Sequence, residues 1–263
     1  MTAAVPPFLA SPKPLAYAHR GGAHYGPNLG IENSLAAFEN AVRLGYTYLE
    51  TDARVSSDGV VFAFHDASLD RTTDHRGELA RLPASTIERA QIGGREPVPL
   101  LREVLDAFPD VHVNIDVKEM AAVAPTLRVI DDARAGERVC IASFSHRRLS
   151  RVRALAPYLA TSASPPEIAR MSVRPWRVLP WLRRLGASCV QVPTRQGWLS
   201  IVTPRFVETA HDLGLEVHVW TIDDPDDMNH LLDLGVDGLM SDRIDVLKDV
   251  LTARGQWTGG DAR

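Results

Sequence analysis

Short apolar runs with an ionisable or polar side chain at or next to their ends recur along this chain, with stretches of helical spacing between them. This alternation limits the fold more than any other feature. The runs are residues 15–19, 48–55, 60–64, 111–117, 139–143, 159–162, 189–192, 216–221 and 238–241. Between most of them apolar residues return every three or four positions, as Leu35, Phe38, Ala41 and Val42 do within 34–44, which Gly45 closes. Residues 204–213 and 225–234 repeat the pattern. The Ser57-Asp58-Gly59 turn joins 48–55 to 60–64, and counting that pair as one unit leaves about eight βα units. Such an α/β alternation demands a parallel sheet covered by helices, and eight units favour closure into a (β/α)8 barrel over an open doubly wound sheet. Residues 66–99 interrupt the rhythm and are expected to form a small insertion after the second strand, too small for an independent core. One domain over 1–263 is expected, with its core at about 15–252 and a frayed tail from 255 onward.

The composition narrows the partners. With 29 basic against 33 acidic residues the formal charge is −4, which argues against broad nucleic-acid binding but leaves room for a local basic pocket. Cys140 and Cys189 are too few for a disulfide framework or a thiolate zinc site, and both fall in expected strands, where they read as small buried hydrophobes. The first residues lack a basic start followed by an apolar run, and no window approaches the ~20 apolar residues of a membrane span. The cytoplasm is therefore the expected location. Residues 173–184 mix Trp176, Leu179, Trp181 and Leu182 with Arg174, Arg177, Arg183 and Arg184, as membrane-interfacial segments do. Pro175 and Pro180 interrupt any helix there, and a barrel loop is the plainer reading.

Barrels of this kind carry their reactive groups where strands end. Those ends hold His19-Arg20, Glu50 and Asp52, His65-Asp66, Asp116 and Lys118, Ser143, Gln191, Trp220 and Asp242. Glu50 and Asp52 are two apart in a strand and so share a face, as do Asp116 and Lys118. Converging carboxylates without a thiolate suit a hard cation, Mg²⁺ or Ca²⁺; ion pairing with Arg20, Arg54 or Lys118 is the alternative use of the same groups. His19 and His65 can exchange protons near neutral pH, or serve as satisfied structural residues. Arg20 and Lys118 add the fork and the point charge that surround a phosphoryl group. No Gly-x-x-x-x-Gly-Lys loop is present, so nucleotide hydrolysis of that type is unsupported. His112, His211, His218 and His230 lack such company and read as structural or surface residues.

These residues resemble a known signature. His19-Arg20-Gly21-Gly22 followed by Glu32-Asn33-Ser34, then Glu50-Thr51-Asp52, Asp58-Gly59, His65-Asp66 and Leu69-Asp70-Arg71-Thr72-Thr73, is similar to the motifs of the glycerophosphodiester phosphodiesterases. Asn114-Ile115-Asp116-Val117-Lys118, Val219-Trp220-Thr221, Gly235-Val236-Asp237-Gly238 and Ser241-Asp242 extend the likeness from about Tyr17 to Leu251. The resemblance implies a TIM barrel that cleaves a small glycerophosphodiester to glycerol phosphate and an alcohol with a divalent cation. It implies Glu50, Asp52 and Asp116 as metal ligands and His19 and His65 as the acid/base pair. Arg20 and Lys118 would hold the phosphate, Trp220 would wall the substrate pocket, and Glu32 and Asn33 would support the site from behind. Ile31 stands where the family has proline, residues 24–30 lengthen the loop, and Asp116 replaces a more usual glutamate. Aspartate there is similar to the sphingomyelinase D group, which keeps a lysophospholipase D-like activity at a membrane surface as an alternative. A non-catalytic barrel that binds a phosphorylated ligand is the remaining one.

Overall fold

The computed structural model describes residues 6–173 and 186–260, with side chains of 172 and 173 left aside; the tryptophan- and arginine-rich stretch up to 184 falls almost wholly outside them. Eight parallel strands form the barrel: β1 Leu15–His19, β2 Tyr48–Val55, β3 His112–Val117, β4 Val139–Ala142, β5 Ala160–Thr161, β6 Cys189–Val192, β7 Glu216–Val219 and β8 Gly238–Ser241. Each pairs with its sequence neighbour, and β1 pairs with β8. The β5–β6 seam is closed by Ser162 bridging Cys189 and by hydrogen bonds from Ala163 N to Cys189 O and Ser188 N to Thr161 O, 2.8 Å each. One helix follows each strand: α1 Leu35–Arg43, α2 Leu101–Ala107, α3 Met120–Asp132, α4 His146–Leu155, α5 Pro165–Val173, α6 Pro204–Asp212, α7 Pro225–Asp233 and α8 Ile244–Ala253. No helix among the described residues is long and apolar enough to cross a membrane.

The period-2 rule divides every strand. Ala18, Leu49, Val113, Ile115, Val139, Ile141, Val190, Val217 and Leu239 point outward and are buried under the helices. Inward, Tyr17, Tyr48, Cys140, Ala160, Cys189 and Met240 fill the lower barrel. The two cysteines are buried and unpaired in a disulfide, as read from the sequence. Phe8 plugs the bottom, edge-on to Tyr48 at 5.4 Å, and the Tyr48 hydroxyl donates to the Phe8 carbonyl at 2.7 Å. Burying a side chain of this size contributes roughly 1.5–3 kcal/mol.

Two sequence expectations are corrected, and the insertion gains a detail that the sequence did not show. The core begins before residue 15, because Phe8 and Leu9 are buried in it. The tail is not frayed as far as it is described: Trp257 packs edge-on against Tyr46 at 5.0 Å, and its backbone N–H is bonded to Leu251. The insertion has a satellite core. The return strand Val61–Ala63 runs antiparallel to β2, and Phe62 and Phe64 anchor a cluster with Leu69, Leu79, Ile87 and Ile92. The signal missed was the helical spacing of small apolar residues in 79–92, hidden among charges.

Candidate active site

The strand ends open into one cavity of about 980 Å³ lined by His19, Arg20, Glu50, Asp52, His65, Asp116, Lys118 and Trp220, so the catalytic, phosphate and metal candidates read from the sequence share one mouth. Register explains this. His19 lies opposite Glu50, and Asp52 opposite Asp116 on β3, which puts their inward side chains in adjacent layers. The turn after β1 aims Arg20: Arg20, Gly21 and Gly22 all have left-handed backbones (φ +51°, +84° and +89°). A Cβ on Gly21 would sit 2.9 Å from the Ala37 backbone carbon, so glycine is required for α1 to approach this turn. Ser34 caps α1, its hydroxyl accepting from Ala37 N at 3.1 Å.

Each imidazole has one nitrogen anchored. His19 Nδ1 donates to Asp242 at 2.7 Å, leaving Nε2 3.7 Å from Glu50. His65 Nδ1 donates to Asp66 at 2.7 Å. Burial lowers the affinity of His19 for a proton, but Glu50 and Asp242 outweigh it and hold the imidazole above its ordinary pKa. At His65 burial prevails over Asp52 and Asp66, aided by Lys118 and Arg20, and the imidazole titrates below its ordinary value.

The carboxylates divide their partners unevenly. Lys118 Nζ bridges Asp52 and Asp116, 2.7 Å from each. Asp52 also accepts from Asn33 Nδ2 at 3.0 Å and lies 3.5 Å from Arg20 Nε, an ion pair without a hydrogen bond. Glu50 accepts from the Arg20 backbone N–H at 3.2 Å, and burial together with Asp52 pushes its carboxyl up to about 7. Asp116 Oδ1 is buried without a hydrogen-bond partner. Both readings of these carboxylates are thus represented: two are paired by lysine, as the ion-pair reading has it, while Arg54 turns away to Glu119 and the His65 carbonyl. An all-oxygen set with an orphaned oxygen and a poorly paired glutamate fits a hard cation. The three do not converge as tightly as one other group does. Among the described residues, His24, Asp223 and Asp242 at the rim have ligand atoms within 4.8 Å of one another.

Trp220 is partly buried in the mouth, edge-on to Phe144 at 5.5 Å. Glu32 receives Arg20 Nη1 at 3.1 Å, and Asn33 bridges Thr51 and Asp52. Sequence reasoning saw Asp242 only as a strand-end residue; its role as the anchor of His19 depends on closure of β8 against β1, which spacing does not reveal.

The family model for the glycerophosphoryl diester phosphodiesterase family matches residues 19–246. A Mycobacterium tuberculosis protein named "Probable glycerophosphodiester phosphodiesterase 2" is 41% identical over 256 residues, 96% of each chain. A crystal structure from Silicibacter pomeroyi superposes with a TM-score of 0.80 at 25% identity, covering 94% of this chain and 97% of that one. A phosphodiesterase from Oleispira antarctica, solved with the product sn-glycerol-3-phosphate, has the same fold (TM-score 0.77, 24% identity, 91% and 97% covered).

Proposed function

This chain belongs to the glycerophosphoryl diester phosphodiesterase family, and from that premise we propose that its barrel mouth hydrolyses a small glycerophosphodiester to sn-glycerol 3-phosphate and an alcohol by paired-histidine acid/base catalysis. The observation that carries this reading is the shared mouth in which two carboxylate-anchored imidazoles accompany a guanidinium, an ammonium and three buried carboxylates. One imidazole takes the proton of the attacking hydroxyl and the other returns a proton to the departing alkoxide. Asp242 and Asp66 accept from Nδ1–H, so that Nε2 is the atom that takes up and gives back the transferred proton in each ring. Arg20 and Lys118 stabilise the negative charge that grows on the phosphoryl oxygens. Glu50, Asp52 and Asp116 would hold a divalent cation, Mg²⁺ or Ca²⁺, which when bound supplies Lewis acidity at a phosphoryl oxygen. Trp220 and Phe144 wall the side that receives the alcohol. The product seen in the Oleispira antarctica neighbour agrees with a small-molecule substrate. The lysophospholipid alternative is not favoured, since the Mycobacterium tuberculosis relative, matched along 96% of this chain, is named for glycerophosphodiesters.

The test is hydrolysis of glycerophosphocholine with product identification, before and after EDTA, with Mg²⁺ and Ca²⁺ returned in parallel. Release of sn-glycerol 3-phosphate that EDTA abolishes and a cation restores is the expected result. Absence of product under every condition overturns the activity, and full activity in EDTA overturns the metal requirement alone.

A further inference from the structure

The insertion after β2 sends one side chain back to the mouth. Arg71 meets two carboxylates with all three of its guanidinium nitrogens. Nε lies 2.6 Å from Asp66 Oδ2 and Nη2 3.0 Å from Asp66 Oδ1; Nη1 lies 2.9 Å from Glu32 Oε2 and Nη2 2.7 Å from Glu32 Oε1. Each of these carboxylates holds a different working group. Asp66 accepts from His65 Nδ1 at 2.7 Å, and Glu32 accepts from Arg20 Nη1 at 3.1 Å. The result is an unbroken chain, His65–Asp66–Arg71–Glu32–Arg20, that joins the end of β2's return strand to the turn after β1.

We propose that Arg71 is a positioning residue that sets His65 and Arg20 in one frame, so that the proton-transfer group and the phosphate-holding group keep a fixed separation. The proposal rests on the roles assigned above to His65 and Arg20 and adds the element that couples them. Three physical points support it. A planar fork fixes the plane of each carboxylate it binds, which an ammonium cannot do. Asp66, once fixed, selects the His65 tautomer with its proton on Nδ1 and orients the ring. Arg71 is itself half exposed, at 51% of its side chain, so its contribution to global stability is small while its geometric leverage on the mouth is large. The pKa directions agree with the geometry: hydrogen bonds from Arg71 draw Asp66 well below the usual carboxylate range, and Glu32 is held below its ordinary value despite burial.

The experiment compares Arg71→Met and Arg71→Lys with Asp66→Asn, Glu32→Gln and the charge-removal control Arg81→Met, whose parent side chain is exposed and pairs with Glu78. Steady-state kinetics on glycerophosphocholine are read beside the ¹⁵N resonances of His65. Arg71→Met is expected to lower kcat about 10–100-fold and to raise KM several-fold. Asp66→Asn should reproduce mainly the kcat part and Glu32→Gln mainly the KM part. Arg71→Lys, with one charge and no fork, should recover only a fraction of either. The His65 ring should sit in the Nδ1–H tautomer in the parent and populate both tautomers in Arg71→Met. Kinetics of Arg71→Met that match Arg81→Met, or a loss of activity with the His65 tautomer unmoved, overturn the proposal. Should Arg71→Met fail to fold, Arg71→Lys and the two carboxylate variants decide it by the same split. Near-normal rates in both His65→Ala and Arg20→Met would instead overturn the underlying reading, a distinct outcome.

Discussion

At the floor of the barrel His218 has both ring nitrogens engaged: Nδ1 lies 3.3 Å from the Tyr17 hydroxyl and Nε2 3.1 Å from Glu216. Glu216 in turn receives Lys13 at 2.8 Å, and Lys13 also donates to the Leu9 carbonyl. At the mouth, His19 has Nδ1 engaged by Asp242, but Nε2 stands 3.7 Å from Glu50, beside a large cavity. The two ends use the same residue types at similar depth. What separates them is completeness. Buried polar groups are normally satisfied by the chain itself, and the His218–Glu216–Lys13 group obeys, whereas His112 Nδ1, on the ring stacked against Tyr48 at the same floor, has no partner. The mouth leaves Asp116 Oδ1 and Arg20 Nε without hydrogen bonds and Glu50 poorly paired. Capacity unspent on the protein is what the proposed substrate and cation would use.

The largest expected effect tests that division directly. His19→Ala or His65→Ala should lower turnover of glycerophosphocholine by about 10²–10⁴-fold with the fold retained, as judged by circular dichroism and melting. His218→Leu should do the converse. Removing one partner of a buried ion pair costs about 3–5 kcal/mol, to be read from urea unfolding, while kcat per folded molecule stays near the parent value. If His218→Leu instead abolishes turnover at unchanged stability, the floor is part of the chemistry and the comparison fails.

Acidity offers the next test. Burial pushes the His218 imidazole down, but the neighbouring Cys189 sulfur and the Glu216 carboxylate outweigh it and hold it at about 9. Its ordinary value is about 6.5. The folded protein therefore keeps a proton that the unfolded chain has released between those two values. The stabilisation is present in full below about pH 6.5 and is lost as pH rises through about 9, a contribution of order 3 kcal/mol. Unfolding free energies of the parent should fall across that window more steeply than those of His218→Leu. Parallel curves would mean that His218 gains no proton affinity on folding.

How much of this could be read from the chain depends on how local the cause is. Strand alternation and strand-end chemistry are local, so the barrel and the residues of the mouth were legible, including His218 as a structural histidine. Partners that meet through closure were not. Asp242 reaches His19 across 223 residues, and Glu216 meets Lys13 only because the N-terminal segment folds under the barrel. Phe8 and Trp257 were misjudged, and the satellite cluster around Ile87 was not foreseen, for a related reason: short apolar groups between prolines, glycines and charges gain a role only from what they land on. The side-chain chemistry of a residue is local, but whether the fold spends it is not.

Lys13 measures how far the floor depends on its outermost member. Its side chain is 31% exposed, against 17% for Glu216 and none for His218. An ion pair that reaches solvent is worth about 1 kcal/mol or less. Lys13→Met also surrenders the hydrogen bond to the Leu9 carbonyl, yet keeps the aliphatic stem that packs there. The expected loss is therefore about 1 kcal/mol in urea unfolding, well below that of His218→Leu, with turnover unchanged. With the ammonium gone, Glu216 has only the imidazolium to neutralise it, so His218 should hold its proton more firmly and the pH-dependent fall in stability should move to higher pH. A loss as large as that of His218→Leu would locate the stability of the floor in the strap that crosses it, not in the buried pair, and the contrast with the mouth would have to be redrawn around the N-terminal segment.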